Sequence, residues 1–560
     1  MRKTVLPALL LATALPYLVG LGDSTIWDAN EAFYAGTARE MIESGDYVNP
    51  SFNYRPRFNK PVLSYWAVAA SYRMFGVSER SERLPIAAAA LVLIATAYGL
   101  GRAAGSGEAG LYAAIALAST PRFLMFSRRI IIDVWITMFM ALTLLCFVLA
   151  EAHPRHRRRY LLLMYASAAF GVLTKGPVAV ALPALVLLVY LAVERRLADL
   201  RRMMIPAGIA IVAGIVLPWY LAIYAQHGWV HIKEFFIDEN LMRYAQAVGA
   251  PRRGVLFYLP VLFSDLFPWS LLLPVALAAA WPSLAHRGSA EPAGRARRIL
   301  LLWIAVIVVF FSFSRTKQDL YIFPVVPAEA ALIGVALANA TKKRGRESFS
   351  SSAQEEKDSR PLFSALRWSL AAAGVVVTAA GAALLAWLVL PGRYELAGSL
   401  TVALVAVAGG ALVAVLAWRR AVPSAALALG AVFGALAWVL VLVVLPDFER
   451  YKPVAPLVEV IKQRAGPGAR IGYYRFAMPS MAFYLRAPVF EHFDTESLRE
   501  TFASGDEVHC LMTAGDYEAV KDLLPGSTYV VARRPLFDVK ARALIEGTAL
   551  PDIVLVSNRP

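Results

Sequence analysis

Charge is scarce in this chain, and cysteine scarcer still. Only 17% of the 560 residues are Asp, Glu, Lys or Arg, whereas a soluble domain carries about 25%. With 58% of residues hydrophobic, that deficit excludes an ordinary soluble fold. The two cysteines, Cys146 and Cys510, fall in an apolar run and a polar tail. Neither a disulfide framework nor a cysteine-based zinc site can be built from them, and no HExxH occurs. Acidic residues are the scarcer sign, 40 Asp plus Glu against 56 Lys plus Arg, for a formal net charge of +16. In a soluble protein such an excess points to nucleic acid. In a membrane chain it collects in cytoplasmic loops, so no nucleic-acid partner is expected.

Long apolar runs are what the chain has in abundance. They fall at 4–22, 84–101, 109–127, 132–150, 160–174, 177–193, 204–224, 257–281, 298–314, 320–340, 364–390, 397–418 and 423–445. Runs of this length read as membrane helices, which predicts a polytopic α-helical membrane protein with about 13 transmembrane helices. The N-terminal run has a basic start but no small-residue cleavage site before Asp23, so it is read as a retained first helix.

The linkers "HPRHRRRY", "ERRLADLRR", "HRGSAEPAGRARR", "TKKRGRESFSSSAQEEKDSR" and "WRR" are basic and follow alternate runs. The positive-inside rule puts them in the cytoplasm. Residues 1–445 then form a transmembrane domain, interrupted by a flexible cytoplasmic linker at 341–361. Residues 446–560 form a small α/β domain on the periplasmic side. Five short strands are read there at "ARIGYYRF", "PVFEHF", "EVHCLMTA", "STYVVARR" and "DIVLVS", with short helices between them.

The outer loop 23–83 is far longer than a connector of about 4–6 residues. "NEAFYAGTAREMIESG" and "KPVLSYWAVAASYRMFG" read as amphipathic helices lying on the membrane surface. Asp28 and Glu31, three apart, would share a face. Arg57 and Lys60 follow, and Tyr65 suits the headgroup zone. Other outer turns carry Arg128 and Arg129 with Asp133, then Lys175, then Lys317. Cations in short outer turns run against the positive-inside trend. As a set they fit a shared anionic ligand, with phosphate the natural candidate. The loop 225–256 supplies a third amphipathic helix, "WVHIKEFFIDENLMRYA". His227 and His231 are four apart there, a spacing compatible with a metal, but no third ligand sits at a telling distance. A divalent metal is the one cofactor left open, and no other cofactor is indicated.

"DANEAFYAGTAREMIESGDYVNPSFNYRPRFNKPVLSYW" resembles the first outer loop of bacterial membrane glycosyltransferases of the GT-C fold, in the lipid A aminoarabinose transferase and protein O-mannosyltransferase-like group. The likeness continues through "RRIIIDVWITMFM", "LTKGPVA", "LPWYLAI", "FFIDENLMRYA", "FYLPVLFSDLFPW" and "FFSFSRTKQDLYIFPVVPA". It departs at one point, where the family's Asp-Glu pair is Asn30-Glu31. The resemblance implies transfer of a hexosyl or pentosyl group from a polyprenyl-phosphate donor to a glycolipid or protein acceptor. The setting is the outer face of the cytoplasmic membrane, among membrane lipids. The general base would be Asp28, Glu31 or Asp133. Donor-phosphate and substrate contacts would come from Arg57, Lys60, Tyr65, Arg128, Lys175, Arg243 and Lys317. The alternative is a transporter or flippase of a lipid-linked anionic sugar. It is disfavoured because the charges crowd one side and no internal repeat is evident.

Overall fold

The computed structural model describes residues 2–28, 30–242, 244, 253–285, 291–346, 353–389, 396–537 and 551–560. Helices dominate up to residue 464, and a β-sheet follows. Among the described residues, seven helices are long and apolar enough to cross a bilayer, or up to nine if each of two bent pairs is one span. This is a multi-pass membrane protein. The count is below the thirteen apolar runs of the sequence for physical reasons. Helices Thr4–Tyr17 and Val178–Val193 are short. Helix Arg157–Lys175 opens with three consecutive arginines, and Pro292–Ser312 carries Arg295, Arg297 and Arg298 in its first two turns.

The core of the bundle is built on small residues. Helices α4 (Glu79–Ala104) and α5 (Gly107–Ala118) pack against helix Val326–Arg346. A Cβ at Gly334 would lie 2.2 Å from the Ala109 carbonyl oxygen. Only glycine permits that backbone approach, a common way for helices to associate in lipid. After α5 the chain bends by 68° into α6 (Pro121–Ser127), where Pro121 fills the first helical turn. Helix α7 (Ile132–Ala152) then runs back alongside α8 (Arg157–Lys175).

The segment read as a linker at 341–361 is helical on both sides. One helix continues to Arg346 and another begins at Ala353. Its Lys, Arg, Glu and Ala content favours extending the neighbouring helices. Residues 347–352 lie outside the description.

The long first loop forms the two helices read from its sequence, α2 (Asn30–Ser44) and α3 (Leu63–Phe75), and between them a hairpin that was not read, β1 (Ser51–Phe52) and β2 (Arg55–Pro56). Helix α2 is not simply a surface helix, however. Its residues from Glu31 to Met41 are buried except Phe33, because α3, Arg83 of α4 and the C-terminal unit all pack against it. That unit is a five-stranded mixed sheet with order β4-β3-β5-β7-β6, made of β3 (Arg470–Tyr474), β4 (Phe490–His492), β5 (Val508–Thr513), β6 (Tyr529–Pro535) and β7 (Asp552–Ser557). Strand β3 is parallel to β4 and β5, while β7 runs antiparallel to β5 and β6. Polar bonds seat the sheet unit on the loop. Arg39 donates to the Ala482 and Phe483 carbonyls at 3.1 and 2.9 Å. The Thr25 amide and hydroxyl both donate to Glu449, at 2.9 and 2.7 Å.

Candidate active site

Between α2, α3, α7, α8 and the segment around residues 310–324 lies a cavity of about 910 Å³. Its walls are of two kinds. Asn30, Arg57, Asn59, Lys60, Asp133, Lys175 and Gln318 give polar groups, with the phenols of Tyr34, Tyr65, Tyr244 and Tyr321. Ile136, Met140, Val178, Leu182, Phe235 and Phe236 give an apolar face.

Local sequence explains how the polar groups arrive. Asp133 occupies the first turn of α7, where a carboxylate complements the helix dipole. Lys175 ends α8, closed by Gly176 at φ +97°, and a cation suits that end. The helices lie side by side, so the two groups meet and Lys175 Nζ donates to Asp133 Oδ1. Asp133 is the only carboxylate among the described residues lining the cavity. The Arg57 guanidinium lies 3.8 Å above the Phe33 ring centroid and hydrogen-bonds the Tyr65 phenol. Burial pushes Tyr65 up to about 12, opposed by Arg57, so the phenol remains neutral and able to donate. Lys60 Nζ donates to the Asn59 carbonyl at 2.9 Å.

The remaining residues singled out in the sequence stand elsewhere. Glu31 is a correction. It is 1% exposed and faces inward onto Arg83, with Nε–Oε1 at 2.8 Å and a second nitrogen 3.0 Å from Oε2. Its Oε2 also accepts from the Trp27 amide at 2.8 Å. The cause is Arg83, a buried cation that requires a counterion. Asp28 is parted from Glu31 and does not line the cavity. Its Oδ1 accepts from the Ser480 amide at 2.9 Å, tying the loop to the C-terminal unit. Asp28 is exposed as a residue, yet the protein crowding its carboxylate raises it from 3.8 to about 6. Hydrogen bonds from Ser480 and the Lys452 charge pull the other way.

Arg128 is also corrected. Its guanidinium donates to the carbonyls of Pro16, Val19 and Gly20 at 2.5, 2.6 and 2.7 Å, tying down the backbone where the first helix ends. Burial lowers it to about 10. Arg129 packs 5.1 Å from the Trp27 ring centroid. Lys317 lies behind the cavity wall, 5% exposed, with Nζ donating to the Ser314 carbonyl at 2.5 Å. Arg243 lies outside the described residues. His227 and His231 sit against Phe58, with ring centroids 5.3 and 3.9 Å from it. No group of three or more His, Cys, Asp or Glu among the described residues could hold a metal ion.

Asn30, Asn59, Gln318 and three of the four phenols were not singled out as site residues from sequence. Asn30 and Tyr34 sit inside the quoted loop motif, and Gln318 adjoins Lys317, so adjacency to the charged residues was the available signal.

A family model described as dolichyl-phosphate-mannose-protein mannosyltransferase matches residues 59–221. An undecaprenyl phosphate-alpha-4-amino-4-deoxy-L-arabinose arabinosyl transferase of Pseudomonas fluorescens is 32% identical over 351 residues, covering 60% of this chain and 57% of that protein. The corresponding transferase of Pseudomonas aeruginosa is 33% identical over 343 residues, 60% of each. The match thus spans about 57–60% of the length of these relatives. The crystal structure of ArnT from Cupriavidus metallidurans bound to undecaprenyl phosphate superposes with a TM-score of 0.74, at 25% identity, over 98% of this chain and 97% of that one. The apo ArnT structure gives 0.75 at 24% identity, over 100% and 98%. The fold is therefore the GT-C membrane fold. The resemblance to the aminoarabinose transferase and protein mannosyltransferase-like group is borne out by the family model, the arabinosyl transferases and the solved ArnT structure.

Proposed function

We propose that this chain is a membrane glycosyltransferase that moves a sugar from a polyprenyl-phosphate donor to a glycolipid or protein acceptor at the outer face of the inner membrane. One observation carries the reading most directly. A single cavity holds three cations, Arg57, Lys60 and Lys175, beside an apolar wall from α7, helix Val178–Val193 and Phe235–Phe236. A lipid phosphate needs both surfaces at once. The likeness to a protein crystallised with undecaprenyl phosphate supports the same ligand class.

The chemistry then follows from the lining. An acceptor hydroxyl attacks the anomeric carbon, and the bond from that carbon to the phosphate oxygen breaks. Polyprenyl phosphate leaves with the bonding pair and one added negative charge. Arg57, Lys60 and Lys175 meet that charge as it grows, the condition under which fixed cations accelerate a reaction. Asp133 takes the acceptor proton, being the carboxylate that faces the cavity. Its contact with Lys175 fixes the side-chain orientation. The amide groups of Asn30, Asn59 and Gln318 are placed to bond sugar hydroxyls. In this reading the C-terminal unit, which bonds to α2 through Arg39, faces outward from the cytoplasm together with the cavity.

Purified protein supplied with radiolabelled sugar on undecaprenyl phosphate and a membrane extract should yield labelled acceptor and free undecaprenyl phosphate. Movement of intact donor across a vesicle bilayer without cleavage would establish the transporter reading instead.

A further inference from the structure

The hairpin β1–β2 is an unusual object in a membrane protein, two strands of two residues each. Phe52 pairs with Arg55 and Ser51 with Pro56. The turn residues Asn53 and Tyr54 have φ +55° and +58°, the mirror-image turn that suits strand twist and favours asparagine or glycine. Glycine would serve the backbone equally well, so the side chain at 53 has another task. It is 4% exposed. Its Oδ1 accepts from the Val489 amide at 2.8 Å, and its Nδ2 donates to the Val489 carbonyl at 2.8 Å and to Glu491 at 3.1 Å. A carboxamide that bonds both polar atoms of one residue imitates a pairing strand. Val489 leads into β4, an edge strand of the C-terminal sheet.

From this tip, packed aromatics lead to the cavity. Phe52 presses on Gly36 so closely that a Cβ there would lie 2.7 Å from its ring. It meets Phe33 edge-on at 4.8 Å, and Phe33 carries the Arg57 guanidinium. The Arg57 amide closes the hairpin base by donating to the Pro50 carbonyl at 2.8 Å. Glu40 is a second anchor, accepting from the Ser51 hydroxyl at 2.7 Å and the Tyr54 amide at 3.1 Å, so the hairpin does not depend on Asn53 alone to fold.

We propose that Asn53 is a positioning residue: by pairing with Val489 it couples the C-terminal sheet to the hairpin and sets the pose in which Arg57 meets the phosphate of the lipid donor. This rests on the donor reading above. The C-terminal unit then contributes to donor affinity without touching the donor.

The test is Asn53→Gly, which keeps the turn and removes the pairing. Full-length protein in nanodiscs is titrated with labelled undecaprenyl phosphate and assayed for transfer. The Kd should rise about tenfold, the effect of losing roughly one well-placed charge-assisted bond, and kcat at saturating donor should fall too, because Arg57 also meets the charge growing on the leaving phosphate. Combined with Arg57→Ala, it should add nothing to the loss from Arg57→Ala alone. Should N53G not fold, Asn53→Asp keeps the bond from the Val489 amide, loses the bond to its carbonyl, and should raise Kd by roughly threefold or more. An unchanged Kd in the folded variant, or losses that add, would overturn the coupling while the donor reading stands. Wild-type protein that does not bind undecaprenyl phosphate would overturn both.

Discussion

Replacing Glu31 by Gln separates a structural carboxylate from a catalytic one. Glu31 and Arg83 are each 1% exposed and joined by two bonds of 2.8 and 3.0 Å. Removing one partner of a buried pair costs about 3–5 kcal/mol, because the other charge is left uncompensated. The Gln carbonyl can still accept from the Trp27 amide and from one guanidinium N–H. Its NH2 group, however, replaces an acceptor with a donor facing Arg83. We therefore expect a loss near the lower end, about 3 kcal/mol, out of a total stability of about 5–15 kcal/mol typical of folded proteins. The unfolding midpoint of the purified protein in detergent should fall, and turnover per folded molecule should be retained. Glu31→Met with Arg83→Met should recover only part of the loss. Arg83 also donates to the carbonyls of Leu21, Ser24 and Thr25 at 2.7, 2.7 and 3.0 Å, and methionine leaves these unpaired. A Glu31→Gln variant with wild-type stability, intact donor binding and no turnover would refute the argument and return Glu31 to the role of base.

Asp133→Asn should lower turnover by about 10²–10⁴-fold, the usual range for a lost general base, with undecaprenyl phosphate affinity held in a binding titration. Arg57→Ala and Lys175→Ala should each weaken that affinity by about 10–100-fold. Arg128→Ala and Lys317→Ala should instead lower the unfolding midpoint, since both spend their donors on backbone carbonyls. Asp28 gives a pH dependence. Its pKa is raised in the folded state to about 6, so between about pH 4 and 6 the folded protein holds more protons than the unfolded one. Its contribution to stability therefore falls as pH rises through that window. Asp28→Asn should flatten this part of the stability profile, measured by thermal unfolding at a series of pH values.

Much of the architecture was legible because it depends on local pattern. The five C-terminal strands each carry a short apolar or alternating run between turn residues, and all five formed where the sequence placed them. The helices of the first loop were marked by spacing and by Gly45 and Pro61 at their margins. What could not be read was the partner of each charge. Glu31 and Arg83 are 52 residues apart, and Arg128 reaches carbonyls more than 100 residues earlier. Neither spacing nor composition reports such pairings. They depend on how the end of the first helix folds back against the start of α4 and the end of α6. The burial of α2 was missed for a related reason. An amphipathic helix declares that it has an apolar face, but not whether lipid or a later part of the same chain will cover it.

The charged first loop of this oily protein serves two purposes, and hydrogen-bond capacity tells them apart. A guanidinium has five N–H donors and no acceptor. Arg83 and Arg128 direct theirs at carbonyls of residues 16–25, the stretch where the first helix ends and its terminal carbonyls lack helical partners. In low-dielectric surroundings such unmet carbonyls are expensive, so these arginines are required wherever the chain leaves the bundle irregularly, whether or not a ligand exists. Arg57, Lys60 and Lys175 do not serve such a stretch. They converge from a hairpin, the start of α3 and the end of α8 onto one cavity wall. Asp133 offsets one of these charges through Lys175, so the lining still carries more cations than carboxylates, an excess whose mutual repulsion folding alone does not favour. An anionic ligand would offset that cost, and this convergence, more than the abundance of basic residues, is what supports the proposal of a phosphate site.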